Sequence, residues 1–213
     1  MKLGSIMIFG DSYSTYEGHI PEGYAVYYSG HRAAVPDIFD VKNTWWGRLI
    51  DITEAVLIQN NSWSGSTIGY TGYNNSDCSH TSSFIYRFEK MLAEGFFDDN
   101  KVDTLFVFGG TNDSWSNAPL GESGKQSIEE SDLFCVLPAI QHFAKRLKET
   151  LCKTRIIFIG NCDIKNEITN ELKTACSLYG FDYVELSDIE KLNGHPTELG
   201  MEQICRQVLA QIR

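Results

Sequence analysis

The sequence predicts an α/β fold of three layers, α/β/α, built on a five-stranded parallel sheet. Two observations carry that expectation. Five short apolar runs alternate with longer segments whose apolar residues recur at helical spacing, the pattern of a parallel sheet with helices on both faces. Three of those runs also break directly into glycine, at Gly10, Gly109 and Gly160. Buried strands end in this way where they open into the loops of a functional rim.

The first run is Ile6-Met7-Ile8-Phe9, four apolar residues with two β-branched isoleucines, and it ends in Gly10-Asp11-Ser12. A long polar and aromatic stretch follows from Tyr13 to Asn43, holding Tyr16, Pro21, Tyr24, Tyr27, Tyr28 and Pro36. Loops of that length are functional or mobile more often than not. Thr44 caps a helix through Trp45, Trp46, Leu49 and Ile50. Ala55-Val56-Leu57-Ile58 reads as a second buried strand that ends in the polar, turn-rich segment Gln59 to Thr67.

A second long loop runs to Ser83. The helix after it carries Phe84, Ile85, Phe88, Met91 and Leu92 on one stripe and stops at Gly95. Thr104 to Phe108 is the third strand, breaking into Gly109-Gly110-Thr111-Asn112-Asp113 and a third long loop. Asp132 is the expected cap of a helix through Leu133, Val136, Ile140, Phe143, Leu147 and Leu151, with Pro138 allowing a slightly later start. Ile156 to Ile159 and Phe181 to Leu186 are strands four and five, separated by a helix over Lys165 to Tyr179 that Gly180 ends. Asn193-Gly194-His195-Pro196 leads into the last helix, from Thr197. No repeat, linker or low-complexity tract interrupts the pattern, so residues 1–213 are expected to form one domain.

Hydrophobic residues make up 42% and charged residues 22% of the chain, near globular norms. A net charge of -10 disfavours a nucleic-acid groove or an anionic membrane surface, both of which select basic patches. No apolar run approaches the ~20 residues that span a bilayer. The expected location is therefore cytoplasmic as the chain stands, or exported if a leader was removed. Six cysteines are scattered without a C-x-x-C pair, so neither a zinc site nor a redox motif is signalled.

The polar clusters converge. Gly10-Asp11-Ser12 follows strand one, Ser64-Gly65 strand two, Gly110 to Asp113 strand three, and His195 strand five. In a parallel sheet all carboxyl ends share one edge. Serine is a weak nucleophile until a base takes its proton, and histidine suits that task near neutral pH. The oxyanion of acyl transfer needs positioned donors, which a glycine N–H and an asparagine amide supply.

On these residues the chain resembles the SGNH (GDSL-like) hydrolases. Gly10-Asp11-Ser12-Tyr13-Ser14 matches their first block, Asn60 to Gly65 loosely the second, Gly110-Thr111-Asn112-Asp113 the third, and His195-Pro196 the last. The resemblance implies a flavodoxin-like architecture and a serine esterase or deacetylase. It assigns Ser12 as nucleophile and His195 as general base. It assigns Ser12 N–H, Gly65 N–H and the Asn112 amide as oxyanion donors, and it implies no metal or organic cofactor. One position departs from the family. The aspartate usually found three residues before the histidine is Leu192 here. Asp188, then Glu190, then Asp163 are the candidate replacements, or a backbone carbonyl orients a Ser–His dyad.

Simpler readings stand beside these. Ser12 could cap a helix, His195 could be a helix-start residue, and Gly65 and Gly110 could serve turns alone. Asp11 and Asp113 read as loop-bracing acceptors. Aromatic residues in the three rim loops, namely Tyr13, Tyr16, Tyr24, Tyr27, Tyr28, Trp63, Tyr70, Tyr73 and Trp115, suit a short-chain ester on a small molecule or carbohydrate. Two alternatives are a flavodoxin-like phosphate or flavin binder using Ser12, Ser14 and Thr15, and a catalytically inactive carbohydrate-binding relative.

Overall fold

The computed structural model describes residues 2–31 and 38–212. Pro36 of the first long loop lies outside the described residues. The sheet is formed by β1 (Ser5–Gly10), β2 (Val56–Ser62), β3 (Thr104–Phe108), β4 (Arg155–Gly160) and β5 (Asp182–Glu185), in the order β2-β1-β3-β4-β5. All four pairings are parallel, as expected.

The apolar runs are continuous because both faces of the sheet are covered. Met7, Phe9, Leu105, Val107, Ile156 and Phe158 point into one core. That core is completed by α2 (Phe84–Ala93), α5 (Val136–Thr150) and α6 (Asn166–Tyr179). The alternate residues Ile6, Ile8, Phe106, Phe108, Ile157 and Ile159 point into the other, against α1 (Trp45–Thr53) and α7 (Glu198–Gln211). Period-two side-chain alternation thus gives each central strand two buried faces. The two short helices α3 (Phe96–Asp99) and α4 (Thr111–Trp115) were not expected from periodicity, being too short to display one.

Chain order reverses at β1, which has β2 on one side and β3 on the other. Gly10, the last residue of β1, pairs with Ser62 and with Phe108, the last residues of β2 and β3. Register alone therefore brings the segments after all three strands to one crevice, the switch point where open α/β sheets bind ligands.

Three local readings need correction. The second strand does not stop at Ile58: β2 runs on through Gln59, Asn60, Asn61 and Ser62. Nor is it fully buried, because it is an edge strand and Val56 is 62% exposed. Its polar residues Asn60, Asn61 and Ser62 are nonetheless buried, and they are tolerated because each is hydrogen-bonded, Asn60 to Ser14 O, Ser62 to Asn60 and Asn61 to Arg87. Asp132 does not begin the long helix. It closes a reciprocal capping box with Glu129 around a 3-10 turn at Glu130–Phe134, and α5 starts at Val136. Pro138 then lies in the first turn, where its missing N–H has no partner to lose. Finally, β6 (Lys191–Leu192) and β7 (His195–Pro196) form a two-stranded hairpin. Asn193 and Gly194 join them at φ 51° and 80°, the left-handed pair that a type I′ turn demands.

Thr44 and Thr197 cap α1 and α7 through their side chains, and Gly180 ends α6 in the left-handed conformation. Cys78, Cys176 and Cys205 are buried, Cys152 is exposed, and all six thiols are free. No helix among the described residues is long and apolar enough to cross a membrane.

Candidate active site

Ser12 opens a 3-10 turn, Ser12–Ser14, directly after β1. Asp11 caps the turn, its Oδ1 accepting from Tyr13 N at 3.0 Å. The turn is braced from α1 by the two tryptophans. Trp45 Nε1 donates to Ser14 Oγ at 3.1 Å and Trp46 Nε1 to Ser14 O at 2.9 Å. Asn60 Nδ2 donates to the same carbonyl at 2.8 Å. Gly10 leaves no room for a side chain, since a Cβ would sit 2.6 Å from Ser62 Oγ and 2.8 Å from Ser14 Cβ. The nucleophile candidate is thus fixed by packing on both flanks.

His195 Nε2 lies 3.0 Å from Ser12 Oγ. The imidazole is held by the hairpin that carries it and by tyrosines of the first long loop. Tyr13 Oη donates to Gly194 O at 2.5 Å and Tyr28 Oη to Pro196 O at 2.9 Å. Tyr27 stacks on the imidazole with ring centroids 3.5 Å apart and planes within 8°. Trp115 closes the side at 5.7 Å. His195 Nδ1 faces Asn193 O at 3.3 Å. Burial holds the imidazole below its usual 6.5, a shift that the nearby Lys191 charge reinforces and the Asn193 carbonyl opposes.

The carboxylates expected to steady this ring are elsewhere. Asp188 is exposed, with φ +52°, and makes no hydrogen bond to His195 among the described residues. Glu190 accepts from Thr197 Oγ1, and its N–H donates to Gln203 Oε1 at 2.7 Å. Asp163 pairs with Lys191 Nζ at 3.2 Å. The tight Asn193-Gly194 turn instead brings a backbone carbonyl against Nδ1.

Asn112, in α4, has its amide orientation set at both ends. Oδ1 accepts from Tyr73 Oη at 2.9 Å, and Nδ2 donates to Ser66 O at 3.0 Å, leaving its second hydrogen without an acceptor among the described residues. Gly65 sits in the loop after β2 at φ +82°, where a side chain would meet no atom but the backbone would be strained. The N–H groups of Ser12 and Gly65 have no acceptor among the described residues. Asp113 braces this loop as expected of it, accepting from Ile68 N at 3.0 Å and Gly69 N at 3.2 Å. Burial pushes Asp113 up to about 6 and Asp11 up to about 7. Asp11 Oδ2 is buried without a hydrogen-bond partner among the described residues, which adds to that cost.

The sequence places Tyr27 and Tyr73 among the rim-loop aromatics and allows a backbone carbonyl to orient His195, but it names neither the carbonyl of Asn193 nor what the two tyrosines touch. The Asn193-Gly194 dipeptide is a readable hairpin signal. The tyrosines carry none, because their contacts are made across dozens of residues. The aromatic loop residues also divide. Tyr13, Tyr16, Tyr28 and Tyr70 are buried and pack the loops onto the body. Tyr24, Tyr27, Trp63, Tyr73 and Trp115 keep part of their surface open.

Comparison with known proteins gives the family and the fold. The sequence matches the GDSL-like lipase/acylhydrolase family over residues 4–212. A protein of Bacteroides ovatus provisionally described as a GDSL-like lipase is 36% identical, with a TM-score of 0.89 over 99% of this chain and 98% of its own. One from Bacteroides uniformis, described in the same terms, is 36% identical with a TM-score of 0.89 over 98% of this chain and 95% of its own. A family two carbohydrate esterase of Clostridium thermocellum shares the fold at 13% identity, with a TM-score of 0.66 over 100% of this chain and 64% of its own. No curated protein matches. The chain belongs to the GDSL-like lipase/acylhydrolase family and is an ester-hydrolysing enzyme.

Proposed function

We propose that the chain is a serine esterase that cleaves short-chain esters, an acetyl group on a carbohydrate foremost, through a Ser12–His195 dyad. The observation that carries this reading is the 3.0 Å contact between Ser12 Oγ and His195 Nε2 beside unengaged N–H donors. With Nδ1–H donating to Asn193 O, the Nε2 lone pair faces the serine hydroxyl. Ser12 Oγ attacks the ester carbonyl while its proton passes to Nε2. The carbonyl oxygen becomes an oxyanion, held by Ser12 N–H, Gly65 N–H and the second Asn112 Nδ2 hydrogen. Collapse expels the alcohol, which takes the proton from the imidazolium. Water, deprotonated by His195, then attacks the acyl-enzyme, releasing the acid and restoring Ser12.

The transient imidazolium is steadied by the Asn193 carbonyl and the face of Tyr27, whose π-electrons attract a cation. Asp188→Asn is therefore expected to leave kcat/KM within about twofold. A loss near the ~10⁴-fold that follows removal of an orienting carboxylate would restore Asp188 to the mechanism. Asn112→Ala is expected to lower kcat by roughly 10²–10³, the effect of losing one oxyanion donor. Steady-state kinetics with p-nitrophenyl acetate measures both.

For the alcohol side of the ester, Trp63, two residues before Gly65, packs on Tyr24 with ring centroids 4.3 Å apart and planes tilted by 37°. They line a cavity of about 290 Å³ with Glu22, His80, Tyr86 and Lys90. An aromatic face with charged groups at its edge suits a polyhydroxylated leaving group better than an alkyl chain. A panel of p-nitrophenyl esters from acetate to octanoate, run beside acetylated sugars, tests this reading. Preference for long acyl chains would overturn the short-chain assignment.

A further inference from the structure

Arg87 of α2 is 1% exposed, yet among the described residues none of its hydrogen-bond partners is a carboxylate. Its guanidinium lies 4.6 Å from the centroid of Phe9 and 4.7 Å from that of Phe84, with Tyr24 at 5.9 Å. Every hydrogen bond it makes goes to a neutral oxygen. Nη1 donates to Asn61 O at 2.5 Å and Asn61 Oδ1 at 2.6 Å; Nε donates to Ser82 O at 2.9 Å. Nη2 donates to Gly10 O at 3.3 Å and Ser66 Oγ at 3.2 Å. A buried cation without an ion-pair partner is expensive, and a hydrophobic side chain would fill an apolar site at less cost. What it touches explains its presence. Gly10 is the last residue of the strand that delivers Ser12. Asn61 lies near the end of β2. Ser66 follows Gly65, and its carbonyl orients the Asn112 amide.

We propose that Arg87 is a positioning residue of the oxyanion hole, its planar fork fixing the Ser12 strand, the Gly65 loop and, through Ser66, the Asn112 amide. Its positive charge also favours the negative charge that develops on the carbonyl oxygen, from one layer behind the donors. Lysine cannot reproduce the function, since an ammonium lacks the rigid fork that reaches Asn61, Gly10 and Ser66 together. Asp11, the residue after Gly10, is a buried acid that feels this charge.

The inference rests on the Ser12 esterase reading, and the test separates the two. Arg87→Lys, Arg87→Met and Ser66→Ala are compared with wild type for kcat and KM on p-nitrophenyl acetate. The same proteins are titrated with phenylboronic acid, whose tetrahedral adduct on Ser12 places an oxygen in the hole, and their folded fraction is followed by circular dichroism. Arg87→Met is expected to lower kcat by about 10–100-fold, below the loss for a direct donor, with KM within about twofold. Arg87→Lys should recover only part of that loss, Ser66→Ala should cost a few-fold, and boronate affinity should weaken in step with kcat. Unchanged kcat overturns the proposal, as does a loss accounted for by unfolding while the folded fraction binds boronate as wild type does. Should Arg87→Met not fold, Arg87→Lys and Ser66→Ala carry the same comparison. Wild-type hydrolysis that survives Ser12→Ala would instead defeat the esterase reading itself.

Discussion

Ser12→Ala is expected to lower kcat on p-nitrophenyl acetate by roughly 10⁴–10⁶, the loss that follows removal of a nucleophile acting as one unit with its base. The variant should also lose all covalent labelling by a fluorophosphonate, which reacts only with an activated serine. The side chain lies at a capped turn with its own Oγ directed at His195, so alanine removes an atom without disturbing the bonds that Tyr13, Trp45 and Trp46 make around it. Thermal unfolding should therefore shift little. Labelling that persisted in the variant would move the nucleophile elsewhere, and absence of labelling in the wild type would overturn the assignment of an activated Ser12.

His195→Ala is expected to cost about 10⁴-fold or more in kcat, because no other base reaches Ser12 Oγ among the described residues. The wild-type pH profile follows from the same residue. Burial favours the neutral imidazole, so His195 loses its proton below its ordinary value of 6.5. The neutral form is the active base. kcat/KM should thus rise with pH along a limb whose midpoint lies below 6.5 and then level off. Asp11, raised to about 7 by burial, titrates close to this window and stands next to the nucleophile in sequence. Asp11→Asn separates the two. The rising limb should stay in place in that variant, whereas a limb that vanished with Asp11 would show that the carboxyl, and not the imidazole, sets the profile.

Much of the fold was legible because a sheet buried on both faces writes itself as continuous apolar runs. Ile6 to Phe9, Thr104 to Phe108 and Ile156 to Ile159 are of that kind, and each lies within a central strand of the structure. The edge strand was the harder one. β2 is solvated at Val56 and polar at its carboxyl end, so hydrophobicity marked only its beginning. Short elements fixed by local hydrogen bonds were also invisible to periodicity. The 3-10 turn before α5 and the β6–β7 hairpin both depend on individual caps and turn residues rather than on a repeating stripe.

By itself the sequence determined the strand order in the chain and the parallel α/β class, and through the short blocks that resemble the family it nominated Ser12, Gly65, Asn112 and His195 as the residues to bring together. Those depend on side-chain type and on patterns within about ten neighbours, which a linear reading contains. Only the tertiary structure decided how His195 is oriented. The contacts that orient it, Tyr27 stacked on the ring, Tyr13 and Tyr28 on the hairpin, and the Asn193 carbonyl on Nδ1, depend on a turn geometry and on partners more than 160 residues apart. Arg87 belongs to the same class. A lone arginine on an amphipathic helix reads as a solvated face, and its burial behind the donors follows from where the ends of β1 and β2 meet α2.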